Sequence, residues 1–196
     1  MPVHLLDFNA GRPNRGTPAI VALGEAAGVA IEVHRIRDGD ALPKDTDEPW
    51  ILGGGPGSPL QQGAWRAQTL FALSERVASG RRTLAICYGF QLVAQAMGAN
   101  VRLLGQARDG VYPLSLTWAG ESDPLLCESR HGSAFEHRKW GVFGGAGTVL
   151  ARGEEGDVAA VRYGPRCVGV IFHPEADFGE ATSSVFTRVI PRFLSG

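Results

Sequence analysis

The amino-acid sequence predicts an α/β fold of three layers, with a mostly parallel central sheet and helices on both of its faces. In the first half of the chain, short apolar runs alternate with helix-like segments, and this order is typical of parallel sheets covered by helices. From Asn100 the sequence instead shows short strand-like runs, several of them separated by glycine-containing turns. We therefore expect a β-rich second half that continues the first.

The elements of the first half follow from hydrophobic periodicity and from glycines at helix ends. Gly28 and Gly80 stand where two helical patterns end, and glycine is the residue that most often follows a helix C-terminus. Alternating or continuous apolar runs indicate the strands. The predicted strands are 3–8, 30–36, 50–52 and 83–86, and the predicted helices are 19–27, 65–79 and a segment from 92 to 97.

The second half contains six strand-like runs and one helical pattern. Glycine-containing turns such as Gly144-Gly145 separate several of the runs. Pro191 is expected to end or kink the last turn of the helix, because proline lacks the N–H that a helix interior needs. The predicted strands are 101–104, 111–117, 140–143, 148–152, 158–163 and 167–172, and the predicted helix is 183–194.

Composition restricts the class of protein. The 196 residues, 44% hydrophobic and 20% charged, suit one globular domain over 1–196. The net charge of −1 comes without a basic block, so no nucleic-acid partner is expected. No apolar run approaches the roughly 18–20 residues that span a bilayer, and the N-terminus does not resemble a signal peptide. We expect no membrane association.

The cysteine count indicates a reducing compartment. The three cysteines, Cys87, Cys127 and Cys167, are widely spaced and odd in number, which argues against a disulfide framework and suits the cytoplasm. No close Cys/His pairing with zinc-site spacing occurs, so no metal site is expected. Cys127 and Cys167 lie among apolar neighbours and are interpreted as structural.

Cys87 lies between an apolar run and a helical pattern. Strand, sharp turn and helix in this order form the layout of a nucleophile elbow, with sulfur in place of the hydroxyl. The N-terminus of the following helix offers backbone N–H groups and partial positive charge, which favour the thiolate over the thiol. The alternative is a small cysteine buried at the end of a core strand.

A glycine-rich stretch follows the third predicted strand. Residues 53–59 read Gly-Gly-Gly-Pro-Gly-Ser-Pro, which is incompatible with regular structure and leaves backbone N–H groups open to a ligand. The stretch lacks the Lys-Ser/Thr of a phosphate-binding loop, so nucleotide binding is not expected. A plain surface turn is the alternative.

An earlier loop, 9–18, carries Arg12 and Arg15, which either bind an anion or are simply solvated.

His173-Pro174-Glu175 follows the most apolar late strand. Ligands of open parallel sheets bind beyond the carboxyl ends of the strands. If this strand runs parallel to the one before Cys87, imidazole and thiol can meet there together with the glycine loop. A cysteine nucleophile needs a base, and the base needs a partner that fixes its tautomer, which Glu175 could be. The alternative is a loop histidine without a chemical role.

Together these three ordered motifs resemble the class I (triad-type) glutamine amidotransferase domain, over almost the whole chain. The resemblance implies a flavodoxin-like fold and a Cys-His-Glu triad that hydrolyses the side-chain amide of glutamine and releases ammonia. On the matching positions, Cys87 is the nucleophile, His173 the base and acid, and Glu175 the orienting carboxylate. Gly55 and the backbone N–H of Tyr88 match the oxyanion hole. No cofactor is expected.

The resemblance also implies a set of substrate-binding positions: Gly57, Gln91, His131, Gly132 and Ser133. For His131 itself, a loop histidine with no chemical role is the alternative. The sequence departs from the commoner pattern at four places. Ala85 replaces the usual glycine of the elbow and Phe90 a frequent histidine, whereas Arg130 and Ser133 bear on recognition of the substrate.

The leading hypothesis is a glutamine amidotransferase that forms a γ-glutamyl thioester and passes ammonia to a separate acceptor enzyme, such as an ATP-dependent synthetase. Two alternatives remain open. The departures at Arg130 and Ser133 leave room for a stand-alone hydrolase of another γ-glutamyl amide or peptide with the same triad. The second alternative is a non-catalytic regulatory subunit, although an inactive protein has no physical reason to retain all three triad residues.

Overall fold

The computed structural model describes residues 1–44, 47–127 and 131–196, with the backbone alone at Glu180, Ser184 and Val185. Within these residues nine strands form one sheet, in the order β2-β1-β3-β4-β9-β8-β7-β5-β6. The predicted α/β class is confirmed. The strands are β1 Val3–Asp7, β2 Ile31–Arg35, β3 Trp50–Leu52, β4 Thr83–Ile86, β5 Asn100–Leu116, β6 His131–Phe143, β7 Thr148–Arg152, β8 Val158–Tyr163 and β9 Cys167–Val170.

The sheet is mixed: β1 to β4 and β9 form its parallel part, and β5 to β9 form its antiparallel part. The pairings among β2, β1, β3, β4 and β9 are parallel. Those among β9, β8, β7, β5 and β6 are antiparallel. Parallel neighbours need long crossovers, whereas antiparallel neighbours can be joined by short turns. Because β9 returns beside β4, the last strand of the chain ends next to the strand that precedes Cys87.

Helices cover both faces of the parallel region. An added Cβ at Gly24 of α1 would touch Ile31, whereas Arg76 of α2 lies over the ring of Trp50, 4.0 Å from its centroid. Ile31 pairs with Val3 and Trp50 with His4, and successive strand residues point to opposite faces. The helices are α1 Gly16–Ala26, α2 Ala64–Ala78, α3 Tyr88–Ala96, α4 Trp118–Glu121, α5 Ser184–Thr187 and α6 Val189–Ser195. None of the described helices is both long and apolar enough to cross a membrane.

The second half departs from the sequence predictions in detail. The runs 101–104 and 111–117 belong to one long strand, β5, whose register against β6 shifts between Leu103 and Arg108. β6 begins nine residues before the predicted start, at His131. The C-terminal helix is two helices, and Pro191 is the third residue of α6. Proline is tolerated there because the first turn has no intrahelical acceptor for its missing N–H.

The core below the Cys87 turn is packed so closely that one position excludes any side chain. Gly169 of β9 pairs with Ala85 of β4, and an added Cβ would lie 2.1 Å from Cδ2 of Phe90. Phe90 is fully buried, so its ring has no room to withdraw. The departure at Phe90 thus fills space under the sheet, and Ala85, also fully buried, still fits at the elbow.

We therefore expect Gly169→Ala to destabilise the protein by about 1–3 kcal/mol, the usual cost of overpacking a tight core. Urea unfolding followed by circular dichroism measures it. Gly105→Ala is the matched control, because an added Cβ at this exposed strand glycine meets no heavy atom within 4 Å. Equal stability of the two variants would contradict the packing described here.

Candidate active site

Cys87 lies at a sharp turn between β4 and α3. Its backbone has φ 49° and ψ −104°, a conformation that non-glycine residues rarely adopt and that costs on the order of 1–3 kcal/mol. Two hydrogen bonds hold it: the Cys87 N–H donates to the Val170 carbonyl at 2.8 Å, and the Gln91 N–H donates to the Cys87 carbonyl at 3.0 Å. The turn therefore has the elbow geometry that the sequence predicts.

Gly89 allows α3 to approach β3. An added Cβ there would lie 2.5 Å from Cβ of Leu52 and 2.7 Å from its carbonyl oxygen, closer than real Cβ atoms come. The Gly89 N–H donates to the Gly53 carbonyl at 3.1 Å, which ties the start of α3 to the glycine loop. The elbow and this loop are thus fixed relative to each other.

His173 and Glu175 come shortly after β9, which is the strand next to β4. The His173 N–H donates to the Phe135 carbonyl of β6 at 2.9 Å, which fixes the backbone of the turn. Nδ1 of His173 lies 2.8 Å from Oε1 of Glu175, and the side chains are only 16% and 4% exposed. A proton on Nδ1 makes this contact a hydrogen bond and leaves Nε2 for the thiol. Nε2 is buried and bonds to no described oxygen or nitrogen.

The surroundings of His173 favour the imidazolium. Burial alone would lower the pKa of His173, because desolvation penalises the charged form. The negative charge of Cys87, followed by the hydrogen bond and charge of Glu175, outweighs burial and raises the pKa of His173 well above its usual range. An imidazolium between a thiolate and a carboxylate can hold the thiolate and later deliver a proton.

Cys87, His173 and Glu175 line one cavity of about 770 Å³. One wall is the loop between β1 and α1, a second is the glycine loop, and a third is the segment after β9. The lining residues are Asn9, Arg12, Pro13, Asn14, Arg15, Gly16, Thr17, Ala19, Gly54, Gly55, Pro56, Cys87, Phe135, His137, His173, Glu175, Ala176, Asp177 and Phe178.

Of the two predicted oxyanion positions, Tyr88 directly follows Cys87 and Gly55 lines the same cavity as Cys87. Gly55 lines the cavity, and a side chain is excluded there because an added Cβ would lie 2.8 Å from Cβ of Phe8. Tyr88 is the first residue of α3, where backbone N–H groups have no intrahelical acceptor. Its ring is buried 5.7 Å from the ring of Phe8, and burial raises the pKa of its hydroxyl. The backbone N–H of Tyr88, rather than its buried side chain, therefore stays the predicted oxyanion donor.

The glycine loop is held from outside the cavity by a residue that sequence reasoning missed. Nη1 of Arg37 donates to the Pro56 carbonyl at 2.7 Å and to the Phe8 carbonyl at 3.2 Å. Arg37 follows β2, and no local sequence signal links it to a loop 19 residues away.

Gly57, a predicted substrate position, is exposed with φ 93° and is not among the residues that line the cavity.

The other predicted substrate residues do not line the cavity either. Gln91 is buried and its Nε2 donates to the Trp140 carbonyl of β6 at 3.1 Å. His131 is exposed, and its Nδ1 lies 3.3 Å from the hydroxyl of Ser115 on β5. Gly132 packs against Phe186, and the Ser133 N–H donates to the Ser183 hydroxyl at 2.8 Å. Arg130 lies outside the described residues.

β6 lines the cavity at Phe135 and His137, beyond the predicted segment 131–133. The carbonyl oxygen of His137 lies 3.9 Å from Sγ of Cys87. The roles of His131, Gly132 and Ser133 in substrate binding stay predictions. The alternation along β6 indicates which of its residues face the cavity, since 135 and 137 share one face and 136 and 138 the other.

The opposite face of this segment is anchored by buried charges. Arg138 donates to Glu136 at 2.7 Å and to Asp157 at 2.6 Å, and Arg108 donates to Glu136 at 3.3 Å. All four are at most 5% exposed. Burial alone would lower the pKa of Arg138, but the two carboxylates raise it, so the guanidinium stays charged. Loss of one partner would leave a buried charge uncompensated, which is strongly destabilising. The network fixes the backbone on either side of His137.

Fold and site define an α/β protein with a cysteine at a strand–helix elbow and a histidine–carboxylate pair beside it. The sequence matches the family Glutamine amidotransferase class-I over residues 16–191. It is 32% identical to the glutamine amidotransferase-like protein YfeJ of Salmonella typhimurium, over 80% of this chain and 70% of that protein. The chain belongs to the class I glutamine amidotransferase family, and its predicted membership is confirmed.

Two further similarities were found, one in sequence and one in fold. It is 31% identical to the glutamine-hydrolysing GMP synthase of Bifidobacterium longum, over 98% of this chain but only 34% of that protein. The crystal structure of a glutamine amidotransferase from Thermotoga maritima superimposes with a TM-score of 0.78 at 16% identity, over 99% of this chain and 80% of that one. The latter likeness concerns the fold.

The raised pKa of His173 gives a direct test of the arrangement. In Cys87→Ala the thiolate is absent, so the pKa of His173 should fall; in Glu175→Gln it should fall as well, because the carboxylate no longer stabilises the imidazolium. NMR titration of the imidazole signals in protein labelled at histidine measures both shifts. An unchanged His173 titration in Cys87→Ala would show that the thiol does not interact with the imidazole.

Proposed function

We propose that this protein hydrolyses the side-chain amide of glutamine, with Cys87 as nucleophile, His173 as base and acid, and Glu175 as the carboxylate that orients His173. The observation that carries the proposal is the 2.8 Å contact between His173 and Glu175, beside the elbow cysteine in one cavity. Membership of the glutamine amidotransferase family supports glutamine as the substrate class.

In the first half-reaction the Cys87 thiolate attacks the γ-carboxamide carbon. The resulting oxyanion accepts hydrogen bonds from the backbone N–H groups at Gly55 and Tyr88, and removal of one such donor typically costs about 2.7–4 kcal/mol of transition-state stabilisation. Nε2–H of His173 protonates the leaving nitrogen. The C–N bond breaks, ammonia leaves and a γ-glutamyl thioester remains on Cys87.

In the second half-reaction His173, now neutral, takes a proton from water, and the hydroxide formed attacks the thioester carbon. The C–S bond breaks, and glutamate and the thiolate are released while His173 is again protonated. The net reaction consumes glutamine and one water and yields glutamate and ammonia. Glu175 keeps the ring oriented through both steps, because its hydrogen bond to Nδ1 fixes which nitrogen exchanges protons.

The ammonia passes, in this proposal, to a separate ATP-dependent synthetase. The support is the similarity to glutamine-hydrolysing GMP synthases, of which this chain spans only about a third in the B. longum protein. The cytoplasmic location and the single-domain organisation over 1–196 stay predictions.

A glutaminase assay tests the proposal. Glutamate formation from L-glutamine should be abolished in Cys87→Ala and should fall by about 10²–10⁴-fold in His173→Gln, the usual contribution of a general base. Cys127→Ala is the matched control: Cys127 is partly exposed, does not line the cavity, and its loss should leave the rate unchanged. Turnover that persists in Cys87→Ala would contradict the proposed nucleophile.

A second candidate keeps the triad and changes the substrate to a γ-glutamyl compound with an anionic far end. Arg12 and Arg15 both line the cavity and are exposed. The described ion pairs involve neither of them, and of the acidic side chains only Glu175 and Asp177 line the same cavity. Two guanidinium groups at the entrance would attract a carboxylate beyond the scissile amide.

A substrate panel separates the two candidates. If the second is right, kcat/KM for γ-glutamylglycine should exceed that for its neutral glycinamide analogue and for glutamine. Arg12→Gln and Arg15→Gln should each reduce that preference about 1.4- to 5-fold, the range expected for exposed ion pairs. Arg35→Gln, an exposed arginine that does not line the cavity, is the control. A preference for glutamine that neither variant changes would exclude this candidate.

A further inference from the structure

A cluster of two histidines and a glutamate lies at the edge of the sheet, outside the active-site cavity. His4 is on β1, and Glu32 and His34 are on the neighbouring edge strand β2. His4 pairs with Glu32 and Leu6 with His34, so all three side chains point to the face that carries α2. His4 is 7% exposed, whereas the Glu32 side chain is 55% exposed.

The distances within the cluster match those between ligands of a tetrahedral metal ion. Nδ1 of His4 lies 3.1 Å from Nε2 of His34 and 3.4 Å from Oε2 of Glu32, and the three atoms all lie within 4.8 Å of one another. Zn–N and Zn–O bonds of about 2.0–2.2 Å place tetrahedral ligands about 3.3–3.6 Å apart. The first distance is slightly shorter than this range and the second lies within it.

A fourth residue prepares His4 as a ligand. Nε2 of His4 lies 2.9 Å from Oε2 of Glu48, which precedes β3. When Nε2–H donates to that carboxylate, Nδ1 carries no proton and its lone pair points at the cluster. Metal-bound histidines in proteins nearly always donate their other N–H to such a partner, which fixes the tautomer and raises the basicity of the ligand.

We propose that His4, Glu32 and His34 bind one divalent cation of the zinc class, with Glu48 orienting His4 and a fourth position open to water. Two imidazoles and a carboxylate suit zinc and its neighbours nickel and copper rather than magnesium or calcium. The bound ion would join β1 to the edge strand β2. Because the triad residues follow β4 and β9, the ion would lie away from the chemistry and act on stability.

The short contact between the two histidines also fits a structure without an ion. In the absence of an ion, Nε2–H of His34 would simply donate to Nδ1 of His4. An ordinary histidine–histidine hydrogen bond is thus the competing interpretation.

Titration of the metal-free protein with Zn²⁺ distinguishes a metal site from a simple histidine–histidine hydrogen bond. Cys87→Ala serves as the parent, because thiol and imidazole in the active site could themselves bind zinc. Calorimetry and elemental analysis after gel filtration should give one zinc per chain. Zinc should also raise the melting temperature, because a ligand that binds only the folded state stabilises it. Zinc binding should weaken at least tenfold in His34→Gln and in Glu32→Gln.

Both variants change the exposed edge strand rather than the buried His4, so their folding can be compared with the parent in the presence of a chelator. His131→Gln, an exposed histidine outside the cluster, is the matched control and should keep the parent's zinc affinity. Binding of one zinc that is lost in the two cluster variants and kept in the control supports the site. No zinc bound by the parent at 100 μM, or equal binding in His34→Gln, would overturn it and leave the hydrogen bond as the function of these histidines.

Discussion

The site depends on the strained backbone of Cys87. At φ 49° and ψ −104° the residue points its thiol into the cavity rather than into the core, and this conformation is unfavourable by itself. Backbone hydrogen bonds from Cys87 to β9 and from Gln91 back to Cys87 offset the strain. The absence of side chains at Gly89 and Gly169 lets the adjacent layers close around it. Packing thereby places the elbow cysteine, the glycine loop and the N-terminus of α3 together.

The second half of the chain supplies the histidine and the carboxylate that lie beside Cys87. Because β9 pairs in parallel with β4, His173 and Glu175 emerge beside Cys87 although 86 residues separate the cysteine from the histidine. The antiparallel strands then bring β6 to the same edge, where Phe135 binds the backbone of His173 and the His137 carbonyl approaches Cys87. The buried charges at Arg108, Glu136, Arg138 and Asp157 fix that part of β6. Shape and electrostatics of the cavity therefore come from both halves.

The fold and the grouping of Cys87, His173 and Glu175 could be predicted because their signals are local. Gly-rich, Cys-Tyr-Gly and His-Pro-Glu motifs each follow an apolar strand, and parallel strands bring their carboxyl ends to one edge. The remaining walls of the cavity could not be predicted in the same way. They depend on where β6 passes the cavity, and strand register is set by cross-strand packing and buried charges rather than by a short motif. Phe135 and His137 were missed for this reason. The contacts of Arg37 with the glycine loop and of His4 with His34 were missed because they join segments that are distant in the sequence.

Cys87 is proposed here as the nucleophile that attacks glutamine bound in the cavity. Mass spectrometry of the intact protein after treatment with a diazoketone analogue of glutamine tests it most directly, because this reagent alkylates only a nucleophile that the bound amino acid reaches. We expect one adduct per chain, mapped to Cys87, prevented by excess L-glutamine and formed much more slowly in His173→Gln. Absence of an adduct, or labelling of Cys127 in preference to Cys87, would contradict the account.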